Sequence, residues 1–225
     1  MSMLAGLRRA AGHGLDVRSI IDIGASDGRW TALARECWPS ARRLLIEAQT
    51  VHEPALRALA SATPGTEYAL VTAGPQDGEV WFDTGGGPFG GVAATVLTEE
   101  SAMAGSGANR ARWVRTPMRS IDSLVAERGL PPPFLVKLDT HGFEAPILAG
   151  ATDTLRRTEL LVIEAYNFRL TPECLRFHEL IAHLEKRGFR CLDMCDVSRR
   201  TDGVLWQMDL FFARGGRSPF AGAMP

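Results

Sequence analysis

The stretch Ser19–Trp30, SIIDIGASDGRW, decides how the rest of the chain is read. It opens as a short run rich in isoleucine and is closed by Gly24, with Gly28 following in the same turn. A run this short, β-branched and bounded by glycine predicts a buried strand. Trp30, Leu33, Ala34 and Cys37 then recur at helical spacing until Pro39, which predicts a helix. Strand, glycine turn and helix make the first part of a βαβ unit. A glycine directly after such a strand lets the backbone pass close to a ligand at the strand's carboxyl end.

Outward from this unit the pattern repeats. RRLLIEA predicts a second buried strand, VHEPALRALAS a helix and EYALVTA a third strand, the alternation expected of a parallel sheet. FLVKLD predicts a fourth strand, EAPILAGATDTLRR a helix and ELLVIEAYN a fifth strand. PECLRFHELIAHLEKRG predicts a long helix with Pro172 in its first turn and Gly188 past its end. FRCLDM and WQMDLFFAR close the chain as an antiparallel pair. The expectation is one α/β domain over residues 1–225, with an N-terminal helix in residues 1–14.

A glycine-rich insertion of about residues 74–118 interrupts this regularity. EVWF and RWVRTPM read as edge strands, the first able to pair across a homodimer. The five glycines from Gly85 to Gly91 read either as a solvent loop or as a mobile segment over a binding site.

Composition narrows the function classes. Of 225 residues, 45% are hydrophobic and 23% charged, and the net charge of −1 gives no basic excess for nucleic acid. No apolar run approaches the roughly 20 residues of a membrane span. The first residues, MSMLAGLRRAAGHG, lack the apolar core of a signal peptide. Cys37, Cys174, Cys191 and Cys195 form no CxxC pair and read as reduced thiols. These features predict a soluble, cytoplasmic protein without nucleic-acid or membrane partners.

The cofactor signal lies in the opening stretch. The dinucleotide fingerprint GxGxxG is absent, Ser26 stands where a second close glycine belongs, and Asp27 would repel a pyrophosphate at the helix start. A cationic ligand without phosphate meets no such objection. Glu47 ends the second strand about 20 residues beyond the glycine turn, where a carboxylate accepts ribose hydroxyls. The turn residues Asp22, Gly24, Ala25, Ser26 and Gly28, with Glu47 and Ala48, therefore suit an adenosyl ligand with a positive centre, S-adenosylmethionine.

IIDIGASDGRW, KLDTHGFEAPILAGA, LLVIEAYNF and DGVLWQMDLFF resemble successive motifs of the FkbM-type methyltransferases, a branch of the class I S-adenosylmethionine-dependent enzymes. The resemblance runs from about Ser19 to Arg214. It implies a Rossmann-like, mostly parallel seven-stranded sheet with a reversed C-terminal hairpin and helices on both faces. It also implies O-methylation, often of sugar or polyketide hydroxyls. By motif match, Asp22, Gly24 and Gly28 would contact the methionine end, Glu47 the ribose, and Thr72 would lie near adenine.

The ends of the fourth and fifth strands carry the acceptor chemistry. Asp139, His141, Glu144, Glu164 and Asn167 fall at the edge where a parallel sheet gathers ligands. One reading resembles catechol O-methyltransferase, with Asp139, Glu164 and Asn167 holding magnesium through oxygen. The metal-free reading makes His141 the general base, oriented by Asp139 or Glu164, since imidazole titrates near neutral pH. Asp139 or Thr140 would otherwise cap the next helix, whose start Glu144 favours. Gln207 and Asp209 share a polar face of the last strand, and Arg112, Arg115 and Arg119 offer positive charge to an anionic acceptor. The expected activity is methyl transfer to a hydroxyl of a small molecule or glycan. The alternatives are an NAD-dependent oxidoreductase and a cofactor-binding module without turnover.

Overall fold

The computed structural model describes residues 2–84, 90–94, 113–216 and 220. Helix α1 (Met3–Gly12) leads into β1 (Ser19–Ile23), α2 (Arg29–Cys37), β2 (Arg42–Glu47), α3 (Glu53–Ala62) and β3 (Thr66–Leu70). After a smaller sheet come α4 (Ile121–Glu127), β8 (Phe134–Leu138), α5 (Glu144–Ala149), α6 (Thr152–Arg156) and β9 (Thr158–Tyr166). Helix α7 (Phe177–Glu185) and the strands β10 (Phe189–Arg199) and β11 (Leu205–Arg214) follow.

The main sheet has seven strands in the order β10-β11-β9-β8-β1-β2-β3. It is mixed rather than wholly parallel. The pairs β3–β2, β2–β1, β1–β8 and β8–β9 are parallel, whereas β11 runs antiparallel to both β9 and β10. Every residue of β1 and β8 is buried, as expected of strands covered on both faces. Alternate residues serve opposite layers. Ile21, Ile23, Val136 and Leu138 pack towards α4, α5 and α7. Ile20, Leu135, Val162 and Phe211 pack towards α1 and α2. The strand order reverses between β1 and β8, so the connections leaving their carboxyl ends diverge and open a crevice.

In the glycine-rich insertion EVWF and RWVRTPM contain strands, as expected, and Val92–Ala94 adds a further short one. Strands β4 (Thr72–Ala73), β5 (Gly78–Asp83), β6 (Val92–Ala94) and β7 (Trp113–Arg119) form a second sheet in the order β4-β7-β5-β6. EYALVTA is accordingly not one strand: it breaks at Val71, and its halves β3 and β4 join different sheets. Nor is EVWF wholly an edge, because Trp81–Asp83 pairs with both β6 and β7. Gly85, Gly86, Gly87 and Arg112 lie outside the described residues.

Two helices also differ from expectation. EAPILAGATDTLRR divides at Gly150 into α5 and α6, because Gly150 backs onto the smaller sheet. A Cβ there would lie 2.2 Å from the Gly74 carbonyl oxygen. Helix α7 starts at Phe177, after Pro172, where the Glu179 carboxylate accepts the Arg176 amide at 2.9 Å. All four cysteines are free. Among the described residues, no helix is long and apolar enough to cross a membrane.

Gly150→Ala should destabilise the fold by about 1–3 kcal/mol, the usual range for forcing extra atoms into a packed contact. Gly12→Ala, where an added Cβ meets nothing within 4 Å, should be neutral or mildly stabilising. Urea unfolding of the two variants checks the contrast.

Candidate active site

The crevice at the ends of β1, β2, β8 and β9 is a cavity of about 400 Å³, roofed by Phe82, Gly91 and Ala93 from the smaller sheet. Its size is that of an ordinary small-molecule site. One end is built from Gly24, Ser26, Glu47, Ala48 and Thr72; the other from Asp139, His141, Glu164, Tyr166 and Gln207.

Gly24 has φ of +72°, and its amide donates to Ile46 O at 3.0 Å. A Cβ there would stand 2.0 Å from Asp139 O, so only glycine lets the turn lie against the end of β8. Glu47 is held by two amides, accepting from Ser26 N on Oε2 and from Gln49 N on Oε1, each at 2.8 Å. Each carboxylate oxygen keeps a lone pair for a further donor. Thr72 lies on the cavity wall with its hydroxyl bonded to Thr116 at 2.9 Å.

Three residues expected at the cofactor end do not line it. Asp22 is fully buried beneath the turn, accepts from Thr31 Oγ1 at 2.6 Å and pairs with Lys137 at 3.3 Å. Burial pushes its carboxyl above the usual range, against the pull of Lys137. Ala25 packs with Leu45 and Leu56. Gly28 backs onto α3, where a Cβ would meet Leu59 at 2.6 Å. These residues shape the turn from behind.

At the other end the loop after β8 carries His141 in the left-handed region, φ +53°. Glu144 fixes that loop by accepting from Gly142 N and Thr140 Oγ1, both at 3.0 Å, and it is buried in doing so. Neither Asp139 nor Thr140 caps α5, whose N-cap is Phe143 with no side-chain bond. Asp139 instead pairs with Lys137 at 3.3 Å and lies 3.6 Å from His141 Nε2. Glu164 Oε2 lies 3.8 Å from the same nitrogen. His141 Nδ1 is 3.1 Å from the Gly91 carbonyl. A carbonyl only accepts, so Nδ1 carries a proton, and in the neutral ring the lone pair is on Nε2, beside the two carboxyls.

Those carboxyls are pushed apart in proton affinity. Burial alone would raise Asp139, but Lys137 and then His141 hold it below the usual range. Glu164 is pushed up to about 9, by burial first and by the Asp139 charge second. It is held by Gln207 Nε2, donating to Oε1 at 2.6 Å, and by a hydrogen bond from the Tyr166 hydroxyl to Oε2. Burial and the neighbouring Glu164 raise Tyr166 itself. Asp209, opposite Glu164 in the β9–β11 register, is pushed up to about 7 by burial and then by Asp139. At neutral pH the pair carries one charge, on Asp139, and Glu164 keeps its proton.

The magnesium set Asp139, Glu164 and Asn167 does not assemble. Side chains alternate along a strand. Tyr166, two residues from Glu164, therefore shares its face, whereas Asn167 does not, and its amide donates to Leu205 O at 3.2 Å. The same alternation would have found Tyr166, which the sequence reading passed over. Among the described residues, the ligand atoms of Asp139, His141 and Glu164 come within 4.8 Å of one another. That set does not suit magnesium either. It mixes in an imidazole nitrogen, Lys137 already occupies Asp139, and Glu164 is protonated between two donors. The arginines are likewise engaged elsewhere: Arg115 pairs with Glu79, and Arg119 with Asp77 and Glu127. Trp206 packs on Tyr166 and Phe168.

The Methyltransferase FkbM domain model matches residues 22–191. The chain belongs to the FkbM methyltransferase family. Its matched region includes both ends of the cavity except Gln207. Among solved structures, this family member is similar to methyltransferase FkbM from Methylobacillus flagellatus KT, with a TM-score of 0.52 and 15% identity. That match covers 86% of this chain and 43% of the other, so the chain spans less than half of that relative's length. An uncharacterized protein from Listeria monocytogenes serotype 4b matches with a TM-score of 0.50 and 10% identity, over 96% of this chain and 69% of that one. At such identities the likeness establishes the fold. No match was found among the curated proteins.

The raised Glu164 carboxyl makes stability depend on pH. Between the ordinary 4.5 and about 9 the unfolded chain has lost this proton while the folded chain keeps it, so stability falls as pH rises through that window. Glu164→Gln removes the titration. Its thermal midpoint should decline less than that of the unaltered protein between about pH 5 and pH 9, a comparison scanning calorimetry can make.

Proposed function

We propose that this methyltransferase transfers the methyl group of S-adenosylmethionine to a hydroxyl of a small-molecule or glycan acceptor. The observation that carries the reading is the position of His141 Nε2. It faces the cavity between an ionised Asp139 and a protonated Glu164, across from the glycine turn and Glu47. The residues at the cofactor end suit the group. Gly24 lines the cavity without a side chain, and the Glu47 oxygens keep lone pairs for ribose hydroxyls. When bound, S-adenosylmethionine supplies a methyl on a positive sulfur, already a good leaving group.

The remaining task falls to the chain's own residues: place an oxygen and take its proton. His141 Nε2 accepts the proton of the acceptor hydroxyl as the oxygen bonds to the methyl carbon and the sulfur keeps the electron pair of the broken bond. Asp139 lies close enough to steady the imidazolium that results. Glu164, neutral and held by Tyr166 and Gln207, offers a hydrogen-bond donor to an acceptor oxygen without adding a second negative charge. No step needs a metal.

Calorimetry should show binding of S-adenosylhomocysteine and none of NAD; the opposite pattern would return the chain to the oxidoreductase reading. A screen of hydroxylated acceptors with labelled cofactor then finds the substrate. With it in hand, His141→Gln should lower kcat by about 10²–10⁴-fold, the usual contribution of a general base. Cofactor binding should stay nearly intact, and turnover should survive exhaustive chelation. Full activity in His141→Gln would remove the base assigned here.

A further inference from the structure

Lys137 is absent from the cavity lining, yet it touches both ends of it. It is the penultimate residue of β8, in register with Asp22 of β1, and its side chain is 5% exposed. An ammonium has three N–H donors. Nζ has three oxygen partners: Gly24 O at 2.9 Å, Asp22 Oδ1 at 3.3 Å and Asp139 Oδ2 at 3.3 Å. The Trp30 ring lies 5.9 Å from the same nitrogen.

A buried ammonium needs a counter-charge, and Asp22, itself buried, supplies one. The other two contacts are not required for neutrality. They are the two that reach the cavity, one holding the carbonyl of the left-handed glycine turn and the other the carboxylate beside His141.

We propose that Lys137 is a positioning residue that ties the glycine turn holding the methyl donor to the carboxylate that orients the acceptor base, fixing the separation of the two reacting groups. The assignment rests on the methyl-transfer reading above. Lys137 is not itself a proton acceptor, because against the effect of burial the Asp22 and Asp139 charges keep its ammonium protonated. Its consequence is geometric. Transfer between two bound groups depends on alignment, and a misplacement of about 1 Å can cost roughly 100-fold in rate.

A plain counter-ion of Asp22 and a positioning residue differ in what rescues their loss. Lys137→Met strands the buried Asp22 charge and is expected to lower the thermal midpoint. The double variant Asp22→Asn/Lys137→Met removes both charges and should recover most of that loss. In the double variant, kcat should nonetheless stay roughly 100-fold down. S-adenosylhomocysteine should bind about tenfold more weakly for the missing charge-assisted bond, and acceptor KM should move by less than about threefold. Recovery of kcat together with the fold would overturn the proposal and leave Lys137 a counter-ion.

Asp22→Asn alone keeps both cavity-facing contacts and should lose less than about tenfold in kcat, well short of the roughly 100-fold loss from misplacement. A loss in Asp22→Asn as large as in Lys137→Met would equally sink the proposal, even if the double variant does not fold. Absence of both cofactor binding and methyl transfer in the unaltered protein would sink the functional reading instead. Hydrogen exchange at the Gly24 and Ala25 amides still reads the tie in that case: faster exchange in Lys137→Met than in Asp22→Asn supports it, and equal rates overturn it.

Discussion

Strands β1 and β8 end against each other with no room between them. The carbonyl of Asp139 occupies the space where Gly24 would otherwise carry a Cβ, and the Asp139 amide in turn donates to Ile23 O at 3.0 Å. This contact sits at the point where the strand order reverses, so it fixes the floor of the crevice. Everything at the site is placed relative to it: the left-handed turn on one side, Asp139 and His141 on the other. A larger residue at Gly24 would push apart the two strand ends that the cavity is built on.

Sheet register explains the electrostatics at the Asp139–Glu164 end of the cavity. Leu138 pairs with Ile163, so Asp139 comes level with Glu164, and Glu164 is directly opposite Asp209. Three carboxyls therefore stand in a row across three strands, with Lys137 at one end. The ammonium keeps the nearest carboxylate charged, and burial with like-charge crowding raises the next two. The result is an ionised group and a protonated group side by side, flanking Nε2 of His141.

The smaller sheet has a second role besides covering the cavity. Through the Gly91 carbonyl it holds His141 Nδ1, and so it turns Nε2 towards Asp139 and Glu164. The chain thus places this imidazole by two distant segments, the loop after β8 and the approach to β6. Gly91 itself has no space for a side chain, since a Cβ would meet Phe82 at 2.3 Å.

The local pattern of the sequence carried much of the fold. A short isoleucine-rich run closed by Gly24, repeated apolar strands and an alternating terminal pair were enough for the sheet and its reversed strand, because burial on both faces leaves a continuous apolar signature. The residue types at the strand ends pointed to Asp139, His141 and Glu164 for the same reason: polar groups that end buried strands face the crevice. What the sequence left undecided depended on partners far along the chain. The glycine-rich segment pairs with itself, β5 with both β6 and β7, the break at Val71 follows from two sheets sharing one stretch, and Asn167 falls outside the site because β9 ends at Tyr166. In the sequence Asp22 reads as a cofactor contact, and Lys137 as an ordinary strand lysine. Only the pairing of β1 with β8 brings them together under the glycine turn, and a charge pair formed across 115 residues leaves no mark in local periodicity.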